Sequence, residues 1–195
     1  RLDGKDTIAG YVSADGTNWT AAGPAAEVHL QPKTQVGFGV ASHRPNELAT
    51  VNYDHITGLP MAFTGADVGS PPLSGAFTGA DGAIEVKGSG DDIWHQSDQC
   101  FFAHQEMDGD FEVRARLNKF TASDSGAKAV VMVRDSLNAA SPWVGVVLMT
   151  DGRVSLQSRL ESGGTAAGAM TYFNQPEKWV RLERRRNSFL VAAPS

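Results

Sequence analysis

Apolar and polar residues alternate with a period of two along most of this chain, and Asp-Gly pairs interrupt the alternation at close intervals. Successive side chains of a strand point to opposite faces, so this period gives each segment one apolar and one polar face. Strands are expected at 7–13, 19–22, 26–30, 36–43, 49–56, 84–89, 93–107, 110–120, 127–134, 143–150, 153–160, 178–185 and 187–193. Asp15-Gly16, Asp81-Gly82, Asp108-Gly109 and Asp151-Gly152 supply turns, because Gly takes positive φ without a Cβ clash. No stretch carries a helical stripe, and Leu137-Asn138-Ala139-Ala140 would make a single turn. Many short strands at this spacing fold as a sandwich or a barrel.

The chain of 195 residues is long enough to bury a sizeable core, and 41% hydrophobic with 20% charged residues is globular material. A net charge of -5 argues against a nucleic-acid partner, which needs a basic face. Cys100 is the one cysteine, so no internal disulfide forms, and the compartment stays open on that count. No apolar run approaches the roughly 18 residues that span a bilayer, so no membrane span is expected.

The two ends resemble each other. Arg1-Leu2 and Arg181-Leu182 each lead a charged turn, a short apolar run and a Ser. The expectation is a chain cut in mid-domain, in a permuted or tandem-repeat frame. Residues 1–57 would be the C-terminal half of a sandwich and residues 73–195 its N-terminal part. Residues 58–72, with Ser70-Pro71-Pro72, read as a Gly/Pro/Ser linker, since Pro cannot donate to a ladder. Phe-Thr-Gly-Ala-Asp occurs at 63–67 and again at 77–81. Each part alone would leave half a core and an open edge. The parts must therefore complete one another, within one chain or by strand complementation with neighbouring repeats or identical chains. A contact of the second kind that does not close gives a filament.

A set of landmarks resembles a bacterial domain family of unknown function, the DUF1349 type, related to the concanavalin A-like lectin/glucanase sandwiches. In chain order these are Val68-Gly69-Ser70-Pro71, Val86 through Trp94, Asp98, Phe102, Gly109 through Arg116, Lys128 through Leu137, Ser155 through Arg159, and Trp179 through Arg184. The N-terminal segments Tyr11 through Trp19 and Val36 through His43 match the end of the family's pattern. The resemblance implies an all-β, two-sheet antiparallel jelly-roll sandwich on an extracellular or cell-envelope protein of bacteria, with no known catalytic site. The family places three aromatics after Asp98, where this chain has Cys100, Phe102 and His104.

Alternation also sorts candidate binding residues. Arg114 and Arg116, Gln157 and Arg159, and Arg181 fall on polar faces. If their strands share a sheet, they form a broad surface of planar donors suited to hydroxyls or carboxylates, or else a solvated face of cross-strand ion pairs. Arg134 ends the apolar run Ala129–Val133 and needs a partner, with Asp98 and Asp92 as candidates. Trp94 and Asp98 complete the candidate face. Asp91, Asp92 and Asp98 are candidate calcium ligands through their oxygens; no other cofactor is expected. The five histidines show no zinc spacing, and His43 and His95 are expected in solvated loops. Asp108-Gly109-Asp110-Phe111-Glu112 is the nearest approach to a glucanase strand and lacks the third acid.

Three functions stay open. The first is a non-catalytic module that builds an assembly or displays a binding face. The second is a carbohydrate-binding module of a larger secreted enzyme, with glycans as partners. The third is a glycosidase-like enzyme, which needs paired carboxylates about 5–9 Å apart in a cleft.

Overall fold

The computed structural model describes residues 4–173 and 178–186, all of them strand, turn or loop. In chain order the first strands are β1 (Asp6–Ser13), β2 (Thr20–Ala21), β3 (Ala26–Val28), β4 (Lys33–Ala41), β5 (Ala49–Thr57) and β6 (Thr64–Val68). Then come β7 (Ala76–Ala80), β8 (Ala83–Gly88), β9 (Ile93–Trp94), β10 (Ser97–Asp98), β11 (Cys100–Asp108) and β12 (Phe111–Thr121). They are followed by β13 (Lys128–Arg134), β14 (Trp143–Met149), β15 (Arg153–Arg159), β16 (Thr171–Tyr172) and β17 (Lys178–Arg186). The strand expected at 187–193 lies outside the described residues. Among the described residues no helix is long and apolar enough to cross a membrane.

Two antiparallel sheets form a sandwich. An eight-stranded sheet runs β2-β1-β17-β12-β5-β8-β7, with β3 also paired to β1, and a seven-stranded sheet runs β16-β15-β14-β13-β4-β11-β6. Ile8, Val51, Val113, Val180 and Leu182 of the first meet Val36, Phe38, Val131 and Val146 of the second in one apolar core. Strands from 1–57 and from 73–195 interleave in both sheets. β1 pairs with β17, Asp6 opposite Arg186 and Ser13 opposite Trp179, so the two similar segments are neighbours within one chain. Arg184, fully buried, ties this pair to β4: its guanidinium donates to Asp6 Oδ2 at 2.7 Å and to Thr34 Oγ1 at 3.0 Å.

The seven-stranded sheet is covered on its outer face too. Phe102, Val130, Met132, Trp143 and Val147 form a second core there, roofed by Ile93 and Ala166 with Trp94, Ala139 and Met170. Every residue of β13 and β14 is therefore buried, which is why both segments read as unbroken apolar runs rather than alternating ones. Cys100 lies on this face, and burial pushes its thiol pKa up to about 12.

Buried charge holds the roof down. Asp98 Oδ1 accepts from Arg159 Nη2 at 2.6 Å, and Oδ2 accepts from Arg159 Nη1 at 3.0 Å and Arg134 Nη1 at 3.1 Å. Arg159 also donates to the carbonyls of Trp94, Ala139 and Gly164, and Arg134 to those of Ser136 and Asn138. One carboxylate and two guanidiniums thus gather three loops onto one sheet.

Three local expectations are corrected. The strand expected over 93–107 is broken: β9 and β10 form their own two-stranded ribbon, turned at His95 with φ of 48°, and β11 begins at Cys100. Within the linker expected at 58–72, residues 64–68 form β6, an edge strand on β11 anchored by the buried Val68. It ends where Gly69 and Ser70 take positive φ, ahead of the prolines at 71 and 72, which do not prevent it. β7, the other edge and the second copy of the repeated pentapeptide, was not expected as a strand; it pairs with β8 through a two-residue turn at Asp81-Gly82, both in the left-handed region.

Removing the Asp98 carboxylate strands two buried guanidiniums. Asp98→Ala is therefore expected to destabilise the fold by about 3–5 kcal/mol, read from denaturant unfolding. A cost near zero would show that Asp98 does not pin the roof.

Candidate functional site

At one end of the covered face the roof leaves a cleft of about 420 Å³. Lys128 opens β13 at its floor, opposite Met149 at the end of β14 and Ala41 at the end of β4. Trp94, delivered by the β9–β10 ribbon, is its wall, and Met170 from the roof loop lies beside it. The loops after β4 and before β13 form the rim with His43 and Asp124.

Lys128 is nearly buried, its side chain 5% exposed, and all its bonding capacity is used. Its ammonium lies 2.8 Å from Asp92 Oδ1, donates to the Ile93 carbonyl at 3.1 Å, and sits 4.7 Å from the centroid of the Trp94 ring. Asp92 Oδ1 also accepts the Ile93 N–H at 2.7 Å, which fixes the ribbon's first residue. Burial lowers the Lys128 pKa, outweighing the attraction of Asp92.

The rim is built the same way. Asp124 Oδ1 accepts the Gly126 N–H at 2.7 Å and lies 3.2 Å from His43 Nδ1; Oδ2 accepts from Arg44 Nε at 2.9 Å. The Gly126 hydrogen bond, chiefly, holds the Asp124 carboxyl below its usual range. His43 stands in the left-handed region of a loop, φ 56°, and is exposed, with its ring against Asp124. A Cβ on Gly126 would come within 2.8 Å of His43 Nδ1, so the close approach needs glycine. Arg153 completes the lining, paired with Asp151 at 2.7 Å. Each cation in the cleft has a carboxylate partner, and the lining carries no unmatched charge.

The residues expected on one polar surface are split between the two sheets. β12 and β17 are neighbours in the eight-stranded sheet, so Arg114, Arg116 and Arg181 share its outer face, while β15 belongs to the other sheet. Gln157, Arg159 and Arg134 are fully buried and Asp98 nearly so, because the roof loops lie over them. They present nothing to a ligand at the surface and are corrected to structural positions. Trp94 and Asp92 are the two candidates that reach the cleft. Asp91, Asp92 and Asp98 border a separate depression of about 250 Å³, but among the described residues they form no metal-ligating group. Asp92 and Asp98 already face Lys128 and the two arginines. The acids 108 and 110 sit on the β11–β12 hairpin, tied to Arg186.

Lys128, His43, Asp124 and the two methionines were not expected in a site. Lys128 carried the one local signal, a cation heading an apolar strand; His43 and Asp124 are brought together from 81 residues apart and carried none. No family model, curated protein or solved structure matches this chain.

Lys128 sets a pH dependence. Its folded pKa lies below the ordinary 10.5, so between those values the unfolded chain holds a proton that the fold has released. Stability owed to this group therefore rises with pH across that window. The unfolding free energy of the native chain is expected to gain on that of Lys128→Met from neutral pH up to 10.5; the opposite trend would mean the burial argument is wrong.

Proposed function

We propose that this chain is a non-catalytic β-sandwich binding module whose cleft beside Trp94 takes a neutral, polyhydroxylated ring, a sugar residue of a glycan. The observation that carries the reading is the combination of an indole wall with charges that are all matched in pairs. A charged ligand would have to break one of those pairs. A sugar instead offers an apolar face to the indole and hydroxyls to the carboxylates, Arg153 and the rim backbone. A cleft of this size, part apolar with convergent polar groups, is the usual form of a small-ligand site. The resemblance to DUF1349-type domains points the same way, to an extracellular or cell-envelope module.

The assembly role draws less support. It rests on parts that complete one another between chains, and β1 and β17 pair within this one. The glycosidase role is weaker again. Glu112 and Glu183 stand opposite each other across β12 and β17, but each faces an arginine of its own strand, Glu112 with Arg114 at 2.6 Å and Glu183 with Arg181 at 3.1 Å, so neither is free to serve as acid or nucleophile.

The test is calorimetric titration of neutral oligosaccharides. Trp94→Ala is expected to weaken binding by about tenfold or more while leaving the cooperative unfolding transition in place. Unchanged affinity in that variant would remove the cleft from consideration.

A further inference from the structure

The outer face of the eight-stranded sheet carries a different chemistry. Tyr11, Arg181 and Arg114 stand in one row across β1, β17 and β12, and in the next row Glu183 and Glu112 are opposite each other. Like charges directly across a strand pair repel, so a sheet built for stability alone would avoid this order. The opposite charges are instead placed along each strand: Arg114 Nε lies 2.6 Å from Glu112 Oε1, and Arg181 Nε lies 3.1 Å from Glu183 Oε1. The Arg114 contact is a hydrogen bond that orients its guanidinium through the inner nitrogen, whereas Arg181 Nε is close to Glu183 without a hydrogen bond, and that guanidinium is placed by the ion pair and the rings around it. Among the described residues, no hydrogen bond engages the terminal amino groups of either.

Aromatic rings hold the faces of these forks. The Arg181 guanidinium lies 4.1 Å from the Tyr11 ring centroid and 4.9 Å from that of Trp19, and Arg114 lies 5.8 Å from Trp19. Trp19 comes from the β1–β2 hairpin, whose loop is fixed by Asp15, with Oδ1 accepting the N–H groups of Thr17 and Asn18 at 2.8 Å each. A guanidinium stacked on rings has only its in-plane donors left, which is the geometry that grips a carboxylate with two parallel hydrogen bonds. Beside Arg114 runs a groove of about 540 Å³, walled by Trp179 and His55, with Asp54, Thr57 and Asp81 as polar partners.

We propose that this face is a second binding surface, which takes an isolated carboxylate of a uronic-acid unit in an otherwise neutral glycan, held by the forks of Arg114 and Arg181 with the adjoining sugar in the groove. The net charge of -5 disfavours a densely charged polyanion, whose many charges would meet the whole protein's field, but one carboxylate meets mainly the paired guanidiniums. The acids and hydroxyl lining the groove suit hydroxyl-bearing rings better than an apolar peptide segment.

The experiment titrates the 195-residue chain with a neutral oligosaccharide carrying a single uronic-acid unit, its methyl ester, a singly sulfated oligosaccharide and an acidic peptide of equal charge. The uronic-acid oligosaccharide is expected to bind about tenfold or more tightly than the ester, and Arg181→Lys to lose most of that difference, because lysine keeps the charge but not the fork. Arg114→Lys gives a second reading should Arg181→Lys unfold, judged by its thermal midpoint. Equal binding of acid and ester, or full affinity in both folded lysine variants, overturns the proposal. Stronger binding of the sulfated sugar or of the peptide overturns the carboxylate or the glycan part of it respectively.

Discussion

The covered face of the seven-stranded sheet depends on one carboxylate. Asp98 meets two guanidiniums that are wholly removed from water, and those guanidiniums in turn satisfy backbone carbonyls of three loops. Burying three charges is costly, and apolar packing of the same volume is often as stable or more so. What an ion cluster adds is direction. Apolar side chains at these positions could fill the space, but they could not accept or donate to the loop backbones, and those polar groups would be left buried and unmatched.

That constraint decides where the cleft lies. The β9–β10 ribbon is only two residues a side, too short to be stable by itself, and Asp98 is one of its residues. Anchoring Asp98 sets the ribbon against the sheet, and the ribbon carries Trp94 and Asp92 to Lys128. A second core, an ion cluster and a ligand-sized cleft are thus consequences of the same short segment.

The two outer faces differ because one is roofed and the other is open. On the roofed sheet charges are matched and desolvated, and only the end of the face is left as a neutral cleft. On the open sheet arginines pair with carboxylates of their own or the neighbouring strand and lean on aromatic rings. A Tyr and two Trp serve there as supports for guanidiniums rather than as bare platforms.

Much of the fold was legible in the sequence because strand patterns and Asp-Gly turns are local: β1, β5, β12, β15 and β17 lie where the period of two puts them, and β13 and β14 where unbroken apolar runs do. The pattern failed where a local rule met a distant contact. His95 and Asp98 break a strand that hydropathy runs through, since Asp98 is drawn to arginines 36 and 61 residues away. β6 forms in a linker-like sequence because β11 offers it an edge. The sequence by itself determined that Arg114, Arg116, Gln157, Arg159 and Arg181 point away from apolar neighbours on their own strands, and that Arg134, at the end of an apolar run, needs a partner. Only the tertiary structure decided which of them meet water, because alternation specifies the side of a strand but neither the sheet it joins nor what lies over that sheet.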